Sequence, residues 1–428
     1  MSMLLRRLSS LGLGKPHVSV RSSLLLHSRG FSTSLLQTPP CRIVLAEPCG
    51  GDLGKLVVMN LNELECKVLE KKVPLELVDD DDSKIIIGAS GGWIATLKED
   101  GVLRLQDDFN PVASDTNPKR IPLPPLVTLP HCQTKIITNV SVSSSSPEDD
   151  EDCVVAIKFL GPQLSFCKPA GKSSKPEWTN IKIENPCFYS SRVMFSKKDN
   201  MFRIPGSGGH LIGSWDPYKP SNNPTFQRLR FKNMPKLTKA KQNLMDLCCR
   251  SEHLVESRPT GETFLVKQYK KTIKITKAGI ARTRTKALMV FKLDNKGNAV
   301  YTQDIGDLVT FLSMSEPFCV PATSFPGLYP NIVKFHDFDE SGFVGLKSTR
   351  VWSRSYTCRN AVYTQDIGDL NIFFSLSEPF CVPATFFPDL LPNSVDFIDF
   401  DESGLVGLKS TRVWSRSYTC SALEILTS

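Results

Sequence analysis

The sequence lacks the segments that would mark a membrane-spanning protein. No apolar run among its 428 residues approaches the ~18 residues that a membrane-spanning helix needs. Hydrophobic residues make up 40% of the chain and charged residues 22%, as in an ordinary soluble globular protein. We therefore expect no transmembrane segment, and a length that fits one large domain or two to three ordinary ones.

The sequence is also poor in patterns for metal binding and catalysis. Its thirteen cysteines include no C-x-x-C pair, and no H-E-x-x-H pair is present. The glycine loop "GSGGHLIG" (206–213) leads into a strand-like run without a following G-K-[ST], which favours a hairpin turn over a phosphate loop. The motif "DFDES" (337–341, copied at 399–403) has too few ligands for a calcium loop and is interpreted as a solvated turn. The sequence thus predicts no catalytic, cofactor-binding or metal-binding residue, no cofactor and no enzymatic activity, and its cysteines are interpreted as small buried apolar side chains.

Acidic residues are absent from the start of the chain. Glu47 is the first acid, whereas residues 1–31 carry five Lys or Arg among leucines and serines. A basic, serine-rich, acid-free start that can form an amphipathic helix is typical of an organelle transit peptide. The stretch "RGFSTS" places an arginine and an aromatic residue ahead of a serine, so we predict cleavage between Phe31 and Ser32. We expect a mitochondrial protein; a plastid address, dual targeting and a disordered basic tail are the alternatives.

The rest of the chain alternates short β-like runs with turn residues. Runs such as Trp93–Leu97, Val102–Leu105 and Leu211–Trp215 are rich in aliphatic and aromatic residues and are separated by Gly, Pro, Asn or Asp. This pattern predicts antiparallel β-hairpins in an all-β domain, arranged as a sandwich, a barrel or a propeller. One helix is predicted within 236–249, and the polar stretch 141–152 is predicted to be a solvated loop.

A 61-residue segment occurs twice in the chain. Residues 298–358 match 360–420 without a gap, and 50 of the 61 positions are identical. Blades of natural propellers and units of solenoids usually diverge much further than this. We interpret the pair as a recent tandem duplication.

Exchanges between the two copies bear on which of them belongs to the domain. Several swap apolar for polar residues, among them Val309/Asn371 and Ile332/Ser394. We therefore predict a domain over 40–358 whose core is completed by 298–358. Residues 359–428 are then a partly ordered appendage, and the alternative is that either copy fills the same place.

Several separate motifs make the chain resemble a known family. They are, in chain order, "GGWIATLKEDGVLRL", "RVMFSKKDNMFRIPGSGGHLIGSWD", "EHLVESRPTGETFLVKQY", "VFKLD" and "YTQDIGDL…SEPFCVPATSFPGLYPN", spread over roughly 44–358. With them the chain is similar to the plant Domain of Unknown Function 295 family, in its organellar branch. The resemblance implies a β-propeller-like fold of the kelch/F-box-associated type, without the F-box, behind a transit peptide. It implies no enzymatic activity.

Positive charge is concentrated in residues 228–286. This segment holds sixteen Lys or Arg and four acids, a net charge of +12, whereas the remainder of the chain after residue 31 carries −9. A basic stretch can follow a phosphate backbone, and Phe226, Phe231 and Tyr269 are candidates to stack on bases. Lysines that alternate with apolar residues are also typical of a half-exposed strand. The predicted patch for an anionic partner comprises Arg228, Arg230, Lys232, Lys236, Lys239, Lys241, Lys270, Lys271, Lys274 and Lys277.

These features predict a function that does not involve catalysis. The leading interpretation is a non-enzymatic β-propeller-like protein-interaction module in the mitochondrion, because propellers present loops and a central channel to partners. The alternative is an RNA-associated organellar factor that uses residues 228–286. Fold alone does not identify the partner protein or the oligomeric state.

Overall fold

The computed structural model describes most of residues 40–355 and five strands of the second copy. The predicted transit peptide, with Phe31 and Ser32, lies outside the described residues. No helix in the described part is long and apolar enough to cross a membrane. The undescribed gaps within 40–355 are 61–65, 78–83, 99–100, 112, 130–135, 170–175, 220–222, 276–280, 314, 326 and 338–339.

Six β-sheets that follow one another in the chain form a six-blade β-propeller, as the resemblance implies. In blades 1 to 4 consecutive strands pair antiparallel, which the short runs between turn residues predict. The strands of these blades are β1 (Cys41–Gly50), β2 (Leu53–Asn60) and β3 (Cys66–Pro74); β4 (Lys84–Ser90), β5 (Trp93–Lys98), β6 (Val102–Gln106) and β7 (Arg120–Pro125); β8 (Ile137–Val142), β9 (Val155–Phe159), β10 (Gln163–Cys167) and β11 (Trp178–Lys182); and β12 (Met194–Ser196), β13 (Met201–Pro205), β14 (Leu211–Trp215) and β15 (Thr225–Arg228).

Blades 5 and 6 have five strands each and include parallel pairs. Blade 5 consists of β16 (Arg230–Lys232), β17 (Cys249–Glu256), β18 (Thr263–Ile275), β19 (Ala281–Leu293) and β20 (Asn298–Thr302). Blade 6 consists of β21 (Leu308–Leu312), β22 (Phe318–Pro321), β23 (Ile332–His336), β24 (Glu340–Gly345) and β25 (Val351–Ser355). β16 pairs in parallel with β20, and β21 with β23.

One α-helix, α1 (Lys239–Asp246), lies between β16 and β17 and confirms the helix predicted within 236–249. It begins where the Thr238 hydroxyl accepts a hydrogen bond from the Lys241 N–H at 3.3 Å, which satisfies one of the free N–H groups of the first turn. Met245 is buried against blades 4 and 5 and fixes the helix at the rim of the propeller.

Strands in the middle of the propeller are buried on both faces. In β9 every residue is buried: Val155 and Ile157 pack against blade 2, and Ala156 packs against blade 4. Successive side chains of a strand point to opposite faces, so one strand serves two blade–blade contacts. Burying an aliphatic side chain of this kind contributes about 1.5–3 kcal/mol. The core is accordingly a series of apolar clusters between neighbouring blades.

A buried carboxylate ties blade 6 to three other blades. Glu316 lies between β21 and β22, and its carboxylate accepts hydrogen bonds from Ser90 Oγ (2.5 Å), Ser141 Oγ (3.0 Å) and the Phe195 N–H (3.0 Å). These donors belong to blades 2, 3 and 4, at the ends of β4, β8 and β12. The predicted solvated loop 141–152 is therefore wrong at its first two residues, which are buried and belong to β8.

The second copy forms a seventh sheet with the topology of blade 6. Every strand pairing repeats that of blade 6 at a constant offset of 62 residues: Val309 pairs with Ile332, and Asn371 with Ser394. Within the described part these strands pair only with one another. The assignment of 359–428 as an appendage stays a prediction. The strands are β26 (Leu370–Phe374), β27 (Phe380–Pro383), β28 (Ser394–Ile398), β29 (Glu402–Gly407) and β30 (Val413–Ser417).

Candidate interaction surface at one end of the propeller

A cavity of about 370 Å³ opens where blades 3 to 6 meet. Its walls come from the starts of β8 and β17, the loop before β12, and the ends of β21 and β23. β8 begins in the wall of this cavity, and Ser141, farther along the same strand, binds Glu316. We call the cavity the mouth pocket. The lining residues that matter below are Arg192, Arg250, Ser251, His253, Lys270, Leu312, His336 and Asp337.

Two acids of blade 6 bind blade 5 in and beside the mouth pocket. Asp337 forms an ion pair with Lys270, and its charge also acts on Arg192, whose pKa is lowered by burial. Glu340 is buried and accepts hydrogen bonds from the N–H and the hydroxyl of Thr285, each at 2.8 Å. The interpretation of the "DFDES" motif as a solvated turn is therefore wrong for Asp337 and Glu340, which attach blade 6 to blade 5, whereas Asp339 lies outside the described residues.

A serine and a histidine contact each other in the wall of the mouth pocket. Ser251 Oγ lies 3.1 Å from His253 Nε2. Burial, reinforced by the charges of Arg192 and Lys270, holds the pKa of His253 well below its usual value, so the ring is neutral at neutral pH. No carboxylate among the described residues accepts a hydrogen bond from this ring. The pair therefore lacks the orienting acid of a Ser-His-acid triad in the described part of the chain.

Replacing His253 by glutamine will make the free energy of unfolding depend less steeply on pH below about pH 6.5. The folded-state pKa of His253 lies below its unfolded value of about 6.5, so its contribution to stability is present above that pH and is lost as the pH falls below it. From about pH 6.5 downward the natural chain loses up to about 1.4 kcal/mol per pH unit through this group, and H253Q does not. Thermal unfolding at several pH values between about 7.5 and 5 measures the difference. An H253Q profile as steep as that of the natural chain would contradict the assignment.

Ser90 stands in a G-x-S-x-G pattern, Gly88 to Gly92, which in α/β-hydrolases marks a nucleophile on a strand-to-helix turn. Here the turn joins two strands, β4 and β5. Ser90 Oγ donates to Glu316 and accepts a hydrogen bond from the Val142 N–H at 3.0 Å. The hydroxyl therefore serves the attachment of blade 6 to blades 2 and 3.

The hairpin of β18 and β19 extends beyond the other strands of blade 5, next to the mouth pocket. β17 begins at Cys249, opposite Lys270, so the residues of β18 that follow Lys270 pair with β19 alone. We call this extension, residues 271–275 and 281–284, the basic arm. Five residues of extended strand make it roughly 16 Å long.

Like charges face each other across the basic arm. Lys271 pairs directly with Arg284, and Lys274 with Arg282. Like charges directly opposite each other on neighbouring strands are destabilising. The arm sequence contains no acid, and neither Lys271 nor Arg282 takes part in an ion pair within the described residues. The arm is thus a concentrated positive group that its own strands do not neutralise.

Five residues of the predicted basic patch belong to the arm or to the helix beside it. Lys271 acts electrostatically on Cys248, which follows α1, so the arm and the end of the helix are neighbours. The five residues are Lys236, Lys239 and Lys241, in α1 or just before it, and Lys271 and Lys274 in the arm.

The other residues of the predicted patch lie elsewhere. The Arg230 side chain donates a hydrogen bond to the Lys296 carbonyl (3.1 Å) in the turn after β19, at the end of β19 remote from the arm. Lys232 follows Arg230 on the edge strand β16, and Arg228 acts on His210 of blade 4. Lys270 is bound to Asp337 in the mouth pocket, and Lys277 lies outside the described residues.

Two of the three aromatic residues proposed to stack on bases belong to the core. Phe231 packs edge-on against Phe291, with ring centres 4.8 Å apart, and Tyr269 is buried with its hydroxyl 3.6 Å from the Met289 sulfur. Phe226 is 54% exposed and lies on blade 4, away from the arm. The prediction of an aromatic-lined basic strip is therefore wrong for Phe231 and Tyr269.

Cysteines and possible metal ligands form no site in the described residues. No group of three His, Cys, Asp or Glu side chains is placed to hold a metal ion there. Burial raises the pKa of the Cys153 and Cys319 thiols to about 11, so both are protonated at neutral pH. Cys153, Cys167, Cys248 and Cys319 are buried, which confirms the interpretation for these four, whereas Cys49 is exposed.

Six blades around a channel define a β-propeller, a fold that fits a protein-interaction module. The chain belongs to the KIB1-4 beta-propeller family, whose model matches residues 59–364. The match includes the first copy of the repeat and ends at the start of the second.

The two solved structures named here resemble the chain only distantly. No curated protein matches the chain. Among solved structures, dihydro-heme d1 dehydrogenase NirN in complex with DHE is 10% identical, with a TM-score of 0.33, over 91% of this chain and 75% of that one. The WD40 domain of SCAP from fission yeast is 10% identical, with a TM-score of 0.31, over 87% and 84%. With TM-scores this low, the family assignment depends on the family model.

Proposed function

We propose that the protein is a non-enzymatic interaction module that binds an acidic protein partner at the end carrying the mouth pocket and the basic arm. The basic arm supports this proposal most strongly. The strand register places Lys271 opposite Arg284 and Lys274 opposite Arg282, and like charges at directly opposite positions are destabilising. An acidic partner surface that docks there removes this repulsion and gains complementary charge.

Residues beside the arm extend the same surface. Lys239 is exposed on the neighbouring helix α1, and Arg250 is exposed at the rim of the mouth pocket. The cavity offers a concave, partly apolar wall with Leu312 and Phe335. A projecting acidic loop or chain end fits such a surface better than a flat one, because its side chains can enter the cavity.

RNA binding is the second candidate, and the same arm favours it. Closely spaced basic side chains on an extended hairpin can follow a phosphate backbone and release its counterions. Base stacking has less support, since Phe231 and Tyr269 are in the core. We therefore place the protein partner first.

We also propose that the protein works in an organelle and represents the organellar branch of the Domain of Unknown Function 295 family, related to kelch-type F-box proteins. The acid-free, basic start supports a mitochondrial transit peptide, with plastid or dual targeting as alternatives. Mass spectrometry of the N-terminus of the protein recovered from isolated mitochondria tests this. A mature chain that starts at Ser32 is expected, and recovery only from the cytosol would contradict it.

Purification of the C-terminally tagged chain from intact mitochondria tests the proposed function. One half of the material is treated with RNase before capture. Protein partners that remain bound after RNase treatment support the interaction module. Partners that are lost with RNase contradict the protein-partner proposal and support the RNA-associated factor.

A further inference from the structure

The first copy of the repeat contributes to two blades. Residues 298–302 form β20, which pairs with β19 inside blade 5, and the remainder builds blade 6. The same five letters, N-A-V-Y-T, stand at 360–364, just ahead of the seventh sheet. The sequence therefore contains two copies of the complete segment that forms β20 and blade 6.

The second copy keeps the four polar residues whose hydrogen bonds and ion pair attach blade 6 to the rest of the propeller. In the first copy these groups hold blade 6 to blades 2, 3, 4 and 5 through the hydrogen bonds and the ion pair described above, and through the Ala89 N–H, which donates to Ser315 Oγ at 3.1 Å. None of the eleven exchanges between the copies falls on one of them. The attachment residues are Ser315, Glu316, Asp337 and Glu340, and their counterparts are Ser377, Glu378, Asp399 and Glu402.

The backbone of the second sheet also matches that of blade 6. Glu340 begins β24 and pairs with Ser355, and Glu402 begins β29 and pairs with Ser417. Strand order and register agree over the five described strands, so Glu402 occupies the strand position of Glu340, whereas Ser377, Glu378 and Asp399 lie outside the described residues.

Two of the exchanges put a polar residue in the second copy where the first copy has an apolar residue of its core. Val309 is fully buried in the apolar cluster of blade 6, and asparagine stands at position 371. Ile332 packs against the same cluster, and serine stands at 394. The first copy is therefore the better core, and the second is a usable but less stable substitute.

We propose that residues 360–420 are a spare blade that can replace 298–358 in the propeller. When the second copy is in the propeller, residues 360–364 take the position of β20, and the seventh sheet takes the position of blade 6. Residues 298–359 then become a long loop that follows β19. Such a loop is tolerated because the entropic cost of closing a loop rises only with the logarithm of its length.

Replacing blade 6 by the second copy alters the mouth pocket. His336 and Leu312, which line it, have Ile398 and Phe374 as counterparts. The same chain can thus present two versions of the pocket, one with a histidine and one that is more apolar. This inference concerns the fold and holds whichever partner binds the surface.

Disabling one copy at a time in the full-length chain tests the proposal. Val333 is fully buried in the cluster between blades 5 and 6, and Val395 is its identical counterpart. An aspartate at the buried position prevents a copy from packing in the propeller. We expect V395D to melt like the natural chain, V333D to keep one cooperative transition at a lower Tm, and V333D/V395D to lose it. K347D and K409D, at an exposed lysine and its counterpart, are the matched controls.

Three results would overturn the proposal. If V333D alone loses the cooperative transition and the near-ultraviolet circular dichroism signal, as the double variant does, the second copy cannot replace 298–358 in the propeller. If V395D alone lowers the Tm, the second copy already contributes to the folded propeller of the natural chain and is not a replacement held in reserve. Repairing the second core by Asn371→Val should raise the Tm of V333D by several degrees and leave that of the natural chain unchanged. Failure of this rescue would show that V333D folds without the second copy.

Discussion

Replacing Val309 by asparagine, the residue at the matching position 371, will lower the free energy of unfolding by about 3 kcal/mol. Val309 is fully buried with Phe311 and Phe325. The change removes the stabilisation from burying an aliphatic side chain, about 1.5–3 kcal/mol. It also buries a side-chain amide at a site that offers it no hydrogen-bond partner, which costs about 1–3 kcal/mol. Urea unfolding of the full-length chain measures the loss.

The reverse exchange in the second copy is the matched control for V309N. Asn371→Val places the apolar residue in the second sheet, and the stability of the propeller should not change while the first copy occupies it. A V309N variant as stable as the natural chain would show that 298–358 does not supply the core. Equal responses to both exchanges would show that both copies contribute to the same cooperative unit.

Reversing two charges of the basic arm will abolish binding of the acidic partner. Lys271→Glu and Lys274→Glu change the net charge of the arm by −4 and place acids where the partner presents acids. Like charges brought together at an interface cost several kcal/mol, so we expect affinity to fall more than about 100-fold. Retention of the partner on the immobilised variant, measured at several salt concentrations, gives the change.

The arm itself should tolerate these substitutions. Each new carboxylate lies directly opposite an arginine, Arg284 or Arg282, so two repulsive cross-strand pairs become attractive. The Tm should stay the same or rise, which separates loss of binding from loss of folding. Arg230→Glu with Lys232→Glu makes the same change of charge on the edge strand β16, away from the arm, and should leave binding intact. Equal losses in both double variants would mean that only overall charge matters, against a specific surface.

Local patterns in the sequence predict the strands well. Trp93–Lys98, Val102–Gln106 and Leu211–Trp215 form strands at the predicted places, because alternating apolar runs and turn residues act over a few residues. The turn at "GSGGH" is correct for the same reason: Gly208 and Gly209 adopt φ of 76° and 68°, which other residues rarely do.

Charge patterns mislead because the sequence does not show which side chains meet. The run 228–286 looks like one basic patch, yet Arg230 lies at the end of β19 remote from Lys271, and Lys270 is bound to Asp337. The acids of "DFDES" look solvated, yet Glu340 is buried against Thr285, 55 residues earlier. Strand register and blade order decide these contacts, and neither can be read along the chain.

By itself the sequence determined the all-β class, the strand-and-turn pattern, the repeat and the excess of positive charge in 228–286, since all of these depend on neighbouring residues. Only the tertiary structure decided the six-blade closure, the mouth pocket, the basic arm and the role of Glu316. That carboxylate accepts hydrogen bonds from Ser90, Ser141 and Phe195, which are 226, 175 and 121 residues away in the chain. Contacts of this range form when the blades pack around the channel, because only then do the ends of β4, β8 and β12 reach the same point.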